Sequence, residues 1–390
     1  MTHKLRVLEF ITPSGFYGAE RWVLALANHL DASQVVCDLA VTRESNDQDL
    51  TVADLYPPGR GEVHYLSMAG RFDWRVVHRL ARILRRRRID IIHTHGYKSD
   101  IIGLLAARRA GIRCVSTPHG FSGKVGLKLA AFIRLGTHCL RYFDAVAPLS
   151  EELARDMRRF RVPVDKIHFI ANGVDIDEID REVAALPPSR QGPEAEKVIG
   201  FVGQMIPRKG LPDLLAVFDQ LYSQNHQLRL KLLGDGRQRA ELEAMAAAMP
   251  GAGAIEFTGF RSDRLALMAG FDLFVMTSSL EGIPRCLMEA MALGVPVVAY
   301  DIPGVDQLIS HGENGLLAPH GDREALADYC RQLLDNPELA GRLARAARQT
   351  IETHYSARRM AEQYLALFQQ LVNTKTPVVQ PPGPVNGEVR

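Results

Sequence analysis

The sequence predicts an α/β protein of two doubly wound parallel sheets facing one another across a cleft, and three observations predict it. Short apolar strand-like runs alternate with helical ones from the start. The alternation breaks once, at a proline-rich stretch near the middle, and then begins again. A chain of 390 residues is also long enough for two domains with a core in each.

Leu5 to Ile11 reads as the first strand, a helix runs from about 20 to 30, and residues 35 to 41 form the second strand. Further strands fall at 89–93, 114–117, 145–147 and 167–170, separated by helices near 76–87, 99–110, 126–142 and 151–160. Strand–helix–strand order of this kind builds a parallel sheet. Residues 186–197, LPPSRQGPEAEK, have three prolines, a glycine and no apolar periodicity, so they form a linker between a first domain at 1–185 and a second at 198–356. The second sheet takes its strands from 198–202, 228–233, 255–257, 273–276, 295–299 and 315–317, with helices near 211–223, 238–248, 285–293 and 323–334. Helical segments at about 337–353 and 357–373 close the fold. The tail 377–390 is proline-rich, short of core-forming residues and expected to be disordered.

The near balance of 47 basic and 45 acidic residues excludes a protein that binds polyanions over its whole surface, nucleic acid included. The charge is uneven, however: residues 60–141 hold seventeen Lys or Arg against four Asp or Glu. Five scattered cysteines, Cys37, Cys114, Cys139, Cys286 and Cys330, show no metal or disulfide spacing and read as reduced thiols of a cytoplasmic protein. No run has the length of a membrane span, and the amino terminus lacks the apolar core of a signal peptide.

The chemistry concentrates in residues 273–300, LFVMTSSLEGIPRCLMEAMALGVPVVAY. Glu281 sits beyond the carboxyl end of a strand, in the loop 277–282, and Glu289 lies more than a turn into the next helix, for which Pro284 is placed as first residue. The amides of Gly282, Ile283 and Arg285 open toward an anion above that helix start. Ionised carboxylates only accept hydrogen bonds, so the pair reads hydroxyl groups while the amides hold phosphate oxygens. A nucleotide-sugar offers both. The pattern, continuing into GVPVVAYDIPG, resembles the donor-site signature of the retaining glycosyltransferases of family 4, whose fold is GT-B, two Rossmann-like domains facing across a cleft.

The resemblance extends from about residue 4 to 373 and is strongest between 198 and 318. It implies that the last helix, about 357–373, crosses back to the first domain. The loop Pro13–Arg21 resembles the family's glycine-rich first loop, with Gly15 and Gly18 contacting the donor diphosphate or flanking the acceptor. Phe201 to Gly210 resembles the loop that neutralises the leaving diphosphate; Gly203 and Lys209 match, but Gln204 stands where the family has an arginine, and Arg208 is the substitute cation. Gly234 and Gly236 resemble the element lining the nucleotide side, and Phe260 would border the base. His119, in TPHGF, resembles the family histidine near the acceptor and the transferred sugar. Gln307 stands where a glutamate is common and receives no role, while the Gly304 and Val305 amides are available to phosphate.

His93 and His95 share a strand face and are expected to line the same cleft; with no third ligand beside them, no metal is expected. Asp175-Ile176-Asp177 spells a metal-binding DxD but falls in a connecting segment and reads as structural. The family implies transfer with retention, without metal or other cofactor, His119, Glu281, Lys209 and Arg208 carrying the reaction. The expected function is transfer of a hexose-type sugar, from a UDP-sugar by preference, to a glycan or lipid-linked acceptor in cell-surface or exopolysaccharide synthesis. Residues 82–88 and 124–141 combine basic charge with large apolar side chains; one reading is docking on an anionic surface at the inner face of the cytoplasmic membrane, the other ordinary packing of amphipathic helices. Two alternatives remain, a nucleotide-sugar-binding protein without transferase activity and a GT-B nucleotide-sugar epimerase.

Overall fold

The computed structural model describes residues 4–374 except 14, 46, 71–72, 121–126 and 187–195, with the backbone alone at 127–131. Most of the linker expected at 186–197, the tail at 377–390 and Lys124 of the basic region lie outside the described residues.

The first sheet contains β1 (Leu5–Ile11), β2 (Val35–Arg43), β3 (Val63–Ser67), β4 (Ile91–Thr94), β5 (Arg113–Ser116) and β6 (Ala145–Val146), all parallel, in the order β3-β2-β1-β4-β5-β6. The second contains β7 (Lys197–Val202), β8 (Leu228–Leu233), β9 (Ile255–Gly259), β10 (Leu273–Met276), β11 (Val297–Asp301) and β12 (Leu316–Pro319), again parallel, in the order β12-β11-β10-β7-β8-β9. Each order reverses direction once, between β1 and β4 and between β10 and β7. A crevice opens at the carboxyl ends of the strands on either side of such a reversal.

Two of the strand expectations change. Val63–Ser67 is a strand that the apolar-run criterion passes over, because it lies at the sheet edge and alternates covered and exposed residues. The run at 167–170 is not a strand; Ile167 makes a single bridge to Val146, since β6 is only two residues long and offers little ladder to extend.

Side chains of β1 alternate between two cores. Leu5, Val7 and Ile11 face one that also holds Trp22, Leu26, Tyr364 and Phe368; Leu8 and Phe10 face another with Leu80, Leu84 and Ile102. Tyr364 and Phe368 come from the last helix, Ala357–Asn373, which covers the first sheet beside the Gly18–His29 helix. Burying its apolar stripe contributes roughly 1.5–3 kcal/mol per large side chain.

Where the chain passes between the sheets, its two crossings pair: Val174 N–H donates to Tyr355 O at 2.9 Å, and Ala357 N–H to Val174 O at 2.8 Å. Val174 and Ile179 belong to the second core. The Ile176–Ala184 helix, placed in the first domain by a boundary at 185, therefore packs on the second, because its apolar side has the Arg264–Met268 and Arg285–Ala292 helices to cover.

Candidate active site

The reversal in the second sheet puts the loops after β7 and β10 side by side. The Pro207–Lys209 turn is stitched to the Thr277–Glu281 loop by Ser279 N–H to Arg208 O (2.8 Å) and Thr277 Oγ1 to Lys209 O (3.0 Å). This brings Lys209 Nζ to 2.5 Å from Glu281 Oε1, with both side chains buried, at 7% and 6% exposure. Arg208 Nη1 lies 3.5 Å from Glu281 Oε2 and donates to Leu280 O at 3.1 Å. Gln204 is exposed in the loop after β7, and the cations beside Glu281 are Lys209 and Arg208.

The glycines of this wall serve loop packing. Gly234 has φ of +129°, and a Cβ there would fall 2.0 Å from Gly203 O; one at Gly236 would fall 2.5 Å from Met205 O. They let the β8 loop clasp the β7 loop, which Met205 N–H to Asp235 O closes at 2.9 Å. Gly304, at φ +92°, approaches the Gly282 carbonyl so closely that a Cβ would stand 1.7 Å away. That approach corrects the phosphate role expected of the neighbouring amides: Gly304 N–H is bonded to Asp306 Oδ1 at 2.8 Å and Val305 N–H to Ile302 O at 3.1 Å. Pro284 caps rather than begins the Arg285–Ala292 helix, its ψ of 117° being extended. Ile283 points its side chain into the core, leaving only its amide to a ligand. Phe260, 65% exposed beyond β9, presents a bare ring at the rim.

Glu289, 2% exposed, is held by two arginines that the sequence reading did not assign: Arg264 Nη2 at 2.6 Å and Arg285 Nε at 2.9 Å, both on Oε1. Burial opposes ionisation of this carboxyl, but Arg264 and Arg285 outweigh it and lower its pKa below the ordinary value. Arg285 precedes Glu289 by four residues, a helical pairing visible in the sequence; Arg264 arrives from another helix and is not.

The first wall belongs to the other sheet. Glu9 on β1 and His93 on β4 are register partners and share a face. The Glu9 carboxylate, completely buried, lies 3.0 Å from His93 Nδ1 and 2.6 Å from His95 Nε2. His95 Nδ1 is 3.2 Å from His119 Nε2, His93 Nε2 is 2.8 Å from Thr117 Oγ1, and Thr117 Oγ1 is 2.7 Å from Tyr364 OH. Trp22 stands edge-on or tilted to His93, His95, His119 and Tyr364, with ring centroids 5.2–5.8 Å apart. Burial raises the Glu9 pKa, but His93 and His95 prevail and bring it to about 2; burial and His93 push His95 down to about 4, and burial with His95 and His93 pushes His119 well below its ordinary value. His119 is therefore a neutral group at pH 7. The sequence reading missed Glu9, although a lone carboxylate inside the apolar strand LRVLEFI is itself a signal.

Glu9 also supplies the third group that His93 and His95 were expected to lack, correcting the reason given against a metal there. The Glu9 carboxylate oxygens stand 2.6–3.1 Å from the two ring nitrogens, at hydrogen-bond distance. Asp175 of the DxD caps the Ile176–Ala184 helix through Glu178 N–H at 3.0 Å and faces His29 Nε2 at 3.0 Å.

The walls approach at Gly282, where a Cβ would lie 3.6 Å from Ser150 Oγ, and at Arg21, whose pKa is pushed down to about 10 by burial and then by Arg264 and Arg285 across the cleft. Gly18 opens the helix bearing Arg21 and has clear space around it, whereas Gly15 is buried, with the Tyr17 ring 2.4 Å from where its Cβ would be.

Outside the cleft, His78, Arg82, Arg85, Arg86 and Arg109 line a basic depression of about 530 Å³. Arg87 is turned inward to Asp38, at 2.8 Å, and takes no part in it. No helix among the described residues is long and apolar enough to cross a membrane.

Residues 184–350 match the family described as glycosyl transferases group 1, and residues 16–178 match glycosyltransferase family 4. The chain is 25% identical over 308 residues, 77% of it and 80% of the relative, to N-acetyl-alpha-D-glucosaminyl L-malate synthase of Bacillus anthracis. It is 26% identical over 280 residues, 67% of it and 70% of the relative, to the Escherichia coli UDP-Gal:alpha-D-GlcNAc-diphosphoundecaprenol alpha-1,3-galactosyltransferase. The crystal structure of Anabaena HepE in complex with UDP superposes with a TM-score of 0.78 at 20% identity, over 94% of this chain and all of that one. At that identity the likeness carries the fold, and the fold is the expected GT-B arrangement.

Proposed function

The chain belongs to the group 1 glycosyltransferases, and from that membership we propose that it transfers a hexose-type sugar from a UDP-sugar, with retention and without a metal, to a glycan or lipid-linked acceptor. The observation that carries the reading is the buried Lys209–Glu281 pair beside the first-turn amides of the Arg285–Ala292 helix. A departing diphosphate needs positive charge and oriented N–H groups where its own charge develops, and Lys209, Arg208 and those amides stand together. Glu281 then turns to donor-sugar hydroxyls, and Glu289 to the ribose, exchanging part of its arginine contact for it. Gly203, Gly234 and Gly236 shape the loops around the nucleotide, Phe260 borders the base, Gly15 and Gly18 flank the diphosphate, and neutral His119 faces the reacting sugar by hydrogen bonding rather than by charge. The UDP preference draws on a relative named for UDP-Gal and a neighbour bound to UDP, and the lipid-linked acceptor on that same relative. Polysaccharide synthesis at the inner face of the cytoplasmic membrane is the setting this implies, with the basic depression as the docking surface.

The test is binding and hydrolysis across UDP-, GDP- and ADP-sugars, for wild type beside Lys209→Ala and Glu289→Ala. Saturable binding of a UDP-sugar, weakened roughly 30-fold or more in both variants, is expected. The anomeric coupling of the released or transferred sugar reads retention, and turnover in excess chelator reads metal independence. Absence of binding by wild type to every donor would overturn the reading.

A further inference from the structure

From the chain of contacts running from Glu9 through His95 to His119, we infer that Glu9 is a positioning residue that sets the tautomer of His119, so that this histidine meets the substrate with a hydrogen-bond acceptor, Nδ1, and not a donor. The inference rests on the transferase reading for what His119 faces, and, for the tautomer, on the contact geometry with both imidazoles neutral.

An ionised carboxylate only accepts, so the 2.6 Å contact of Glu9 Oε2 with His95 Nε2 requires the proton of His95 to be on Nε2. A neutral imidazole carries one proton, and His95 is neutral near pH 7. Its Nδ1 is then a lone pair, 3.2 Å from His119 Nε2, and His119 must donate from that nitrogen. Being neutral as well, His119 keeps Nδ1 unprotonated. Two imidazoles thus carry the polarity of one buried charge from the centre of the sheet to the cleft.

The same carboxylate is braced on its other side. His93 Nδ1 faces its other oxygen, Oε1, at 3.1 Å, and the opposite ring nitrogen of His93 meets Thr117 Oγ1, which meets Tyr364 OH on the last helix. Glu9 therefore has little freedom to turn, and the tautomer is fixed by the fold rather than chosen by the ligand. An acceptor at this point selects a sugar hydroxyl that donates, and leaves the departing phosphate oxygens, which only accept, without a partner on His119.

The experiment is nitrogen-15 NMR of the histidine side chains at pH 7.5, in wild-type protein and in Glu9→Gln, with His119→Ala to assign the resonance. Wild type is expected to show His119 protonated on Nε2, and Glu9→Gln, which removes the charge while keeping the shape, to show a mixture of both tautomers. A wild-type His119 protonated on Nδ1, or a His119 signal unchanged by Glu9→Gln, would overturn the inference. In turnover, Glu9→Gln is expected to lower kcat roughly tenfold or more with the donor KM little changed, because the donor nucleotide sits on the other domain. In a His119→Ala background the same substitution is expected to cost nothing further, and an equal loss in both backgrounds would reduce Glu9 to a structural role. Should no nucleotide-sugar be turned over, the transferase reading fails, and the NMR outcome still decides the tautomer.

Discussion

Replacing Lys209 by methionine keeps the length of the side chain and removes its charge, leaving Glu281, 6% exposed, without the ammonium 2.5 Å away. Breaking a buried pair from one side costs about 3–5 kcal/mol, since the remaining carboxylate stays buried. Arg208 moderates the loss: it is 3.5 Å from the other oxygen of Glu281, on a side chain 47% exposed to solvent, and such a partner returns about 1 kcal/mol at most. The net loss is therefore about 2–4 kcal/mol, a melting shift of roughly 5–15 °C for a domain of this size. Both tryptophans, Trp22 and Trp74, lie in the first domain, so tryptophan fluorescence follows that domain while circular dichroism follows both. Thermal unfolding of Lys209→Met should shift the dichroism transition and leave the fluorescence transition near its wild-type position. Adding Glu281→Gln removes the orphaned charge and should recover at least about 1 kcal/mol. A Lys209→Met protein within about 0.5 kcal/mol of wild type, or a double variant as unstable as the two single losses added, would refute the reasoning.

Three further outcomes follow from other parts of the molecule. Asp100 is buried and pushed up to about 7, by burial against the hydroxyls of Thr94 and Ser116, which both donate to Oδ1 at 2.6 and 2.8 Å. A carboxyl raised in the folded state loses stability as pH climbs from its unfolded value of about 4 to its folded value near 7; Asp100→Asn, which keeps an acceptor for both hydroxyls, should match wild type at pH 4 and exceed it at pH 8 by at most about 4 kcal/mol, and equal melting differences at the two pH values would count against it. Phe368→Ala removes a fully buried ring where the last helix meets the first sheet, and should cost about 3–5 kcal/mol, read as loss of the tryptophan fluorescence transition at lower denaturant. Charge reversal at Arg82, Arg85 and Arg86 should abolish sedimentation with vesicles containing anionic lipid without altering donor binding; wild type that ignores lipid charge would remove membrane docking from the proposal.

Alternating apolar runs and loops carried the two doubly wound sheets, since strand period and helix period leave different marks on a chain. The edge strand Val63–Ser67 escaped because it is half exposed, and the Ile176–Ala184 helix was assigned to the wrong side because nothing local says which core its apolar side will cover. At the site, the placement of Lys209 and Glu281 in loops at strand ends, and of Glu289 on the helix that follows, was legible because those elements are set by local sequence. Arg285 was within reach as a helical neighbour of Glu289, and Glu9 as a charge in an apolar strand.

The sequence by itself determined most of the elements, their order and the residue types that suit a phosphate and a sugar. Only the tertiary structure decided which of those residues meet. Lys209 and Glu281 are 72 residues apart and Glu9 and His95 are 86 apart, and it is the reversal of strand order in each sheet that brings the loops or strands bearing them together. The charge on a buried group depends on those distant partners far more than on its neighbours in the chain. For that reason the neutrality of His119, the arginine clasp on Glu289 and the orienting role of Glu9 became visible only in three dimensions.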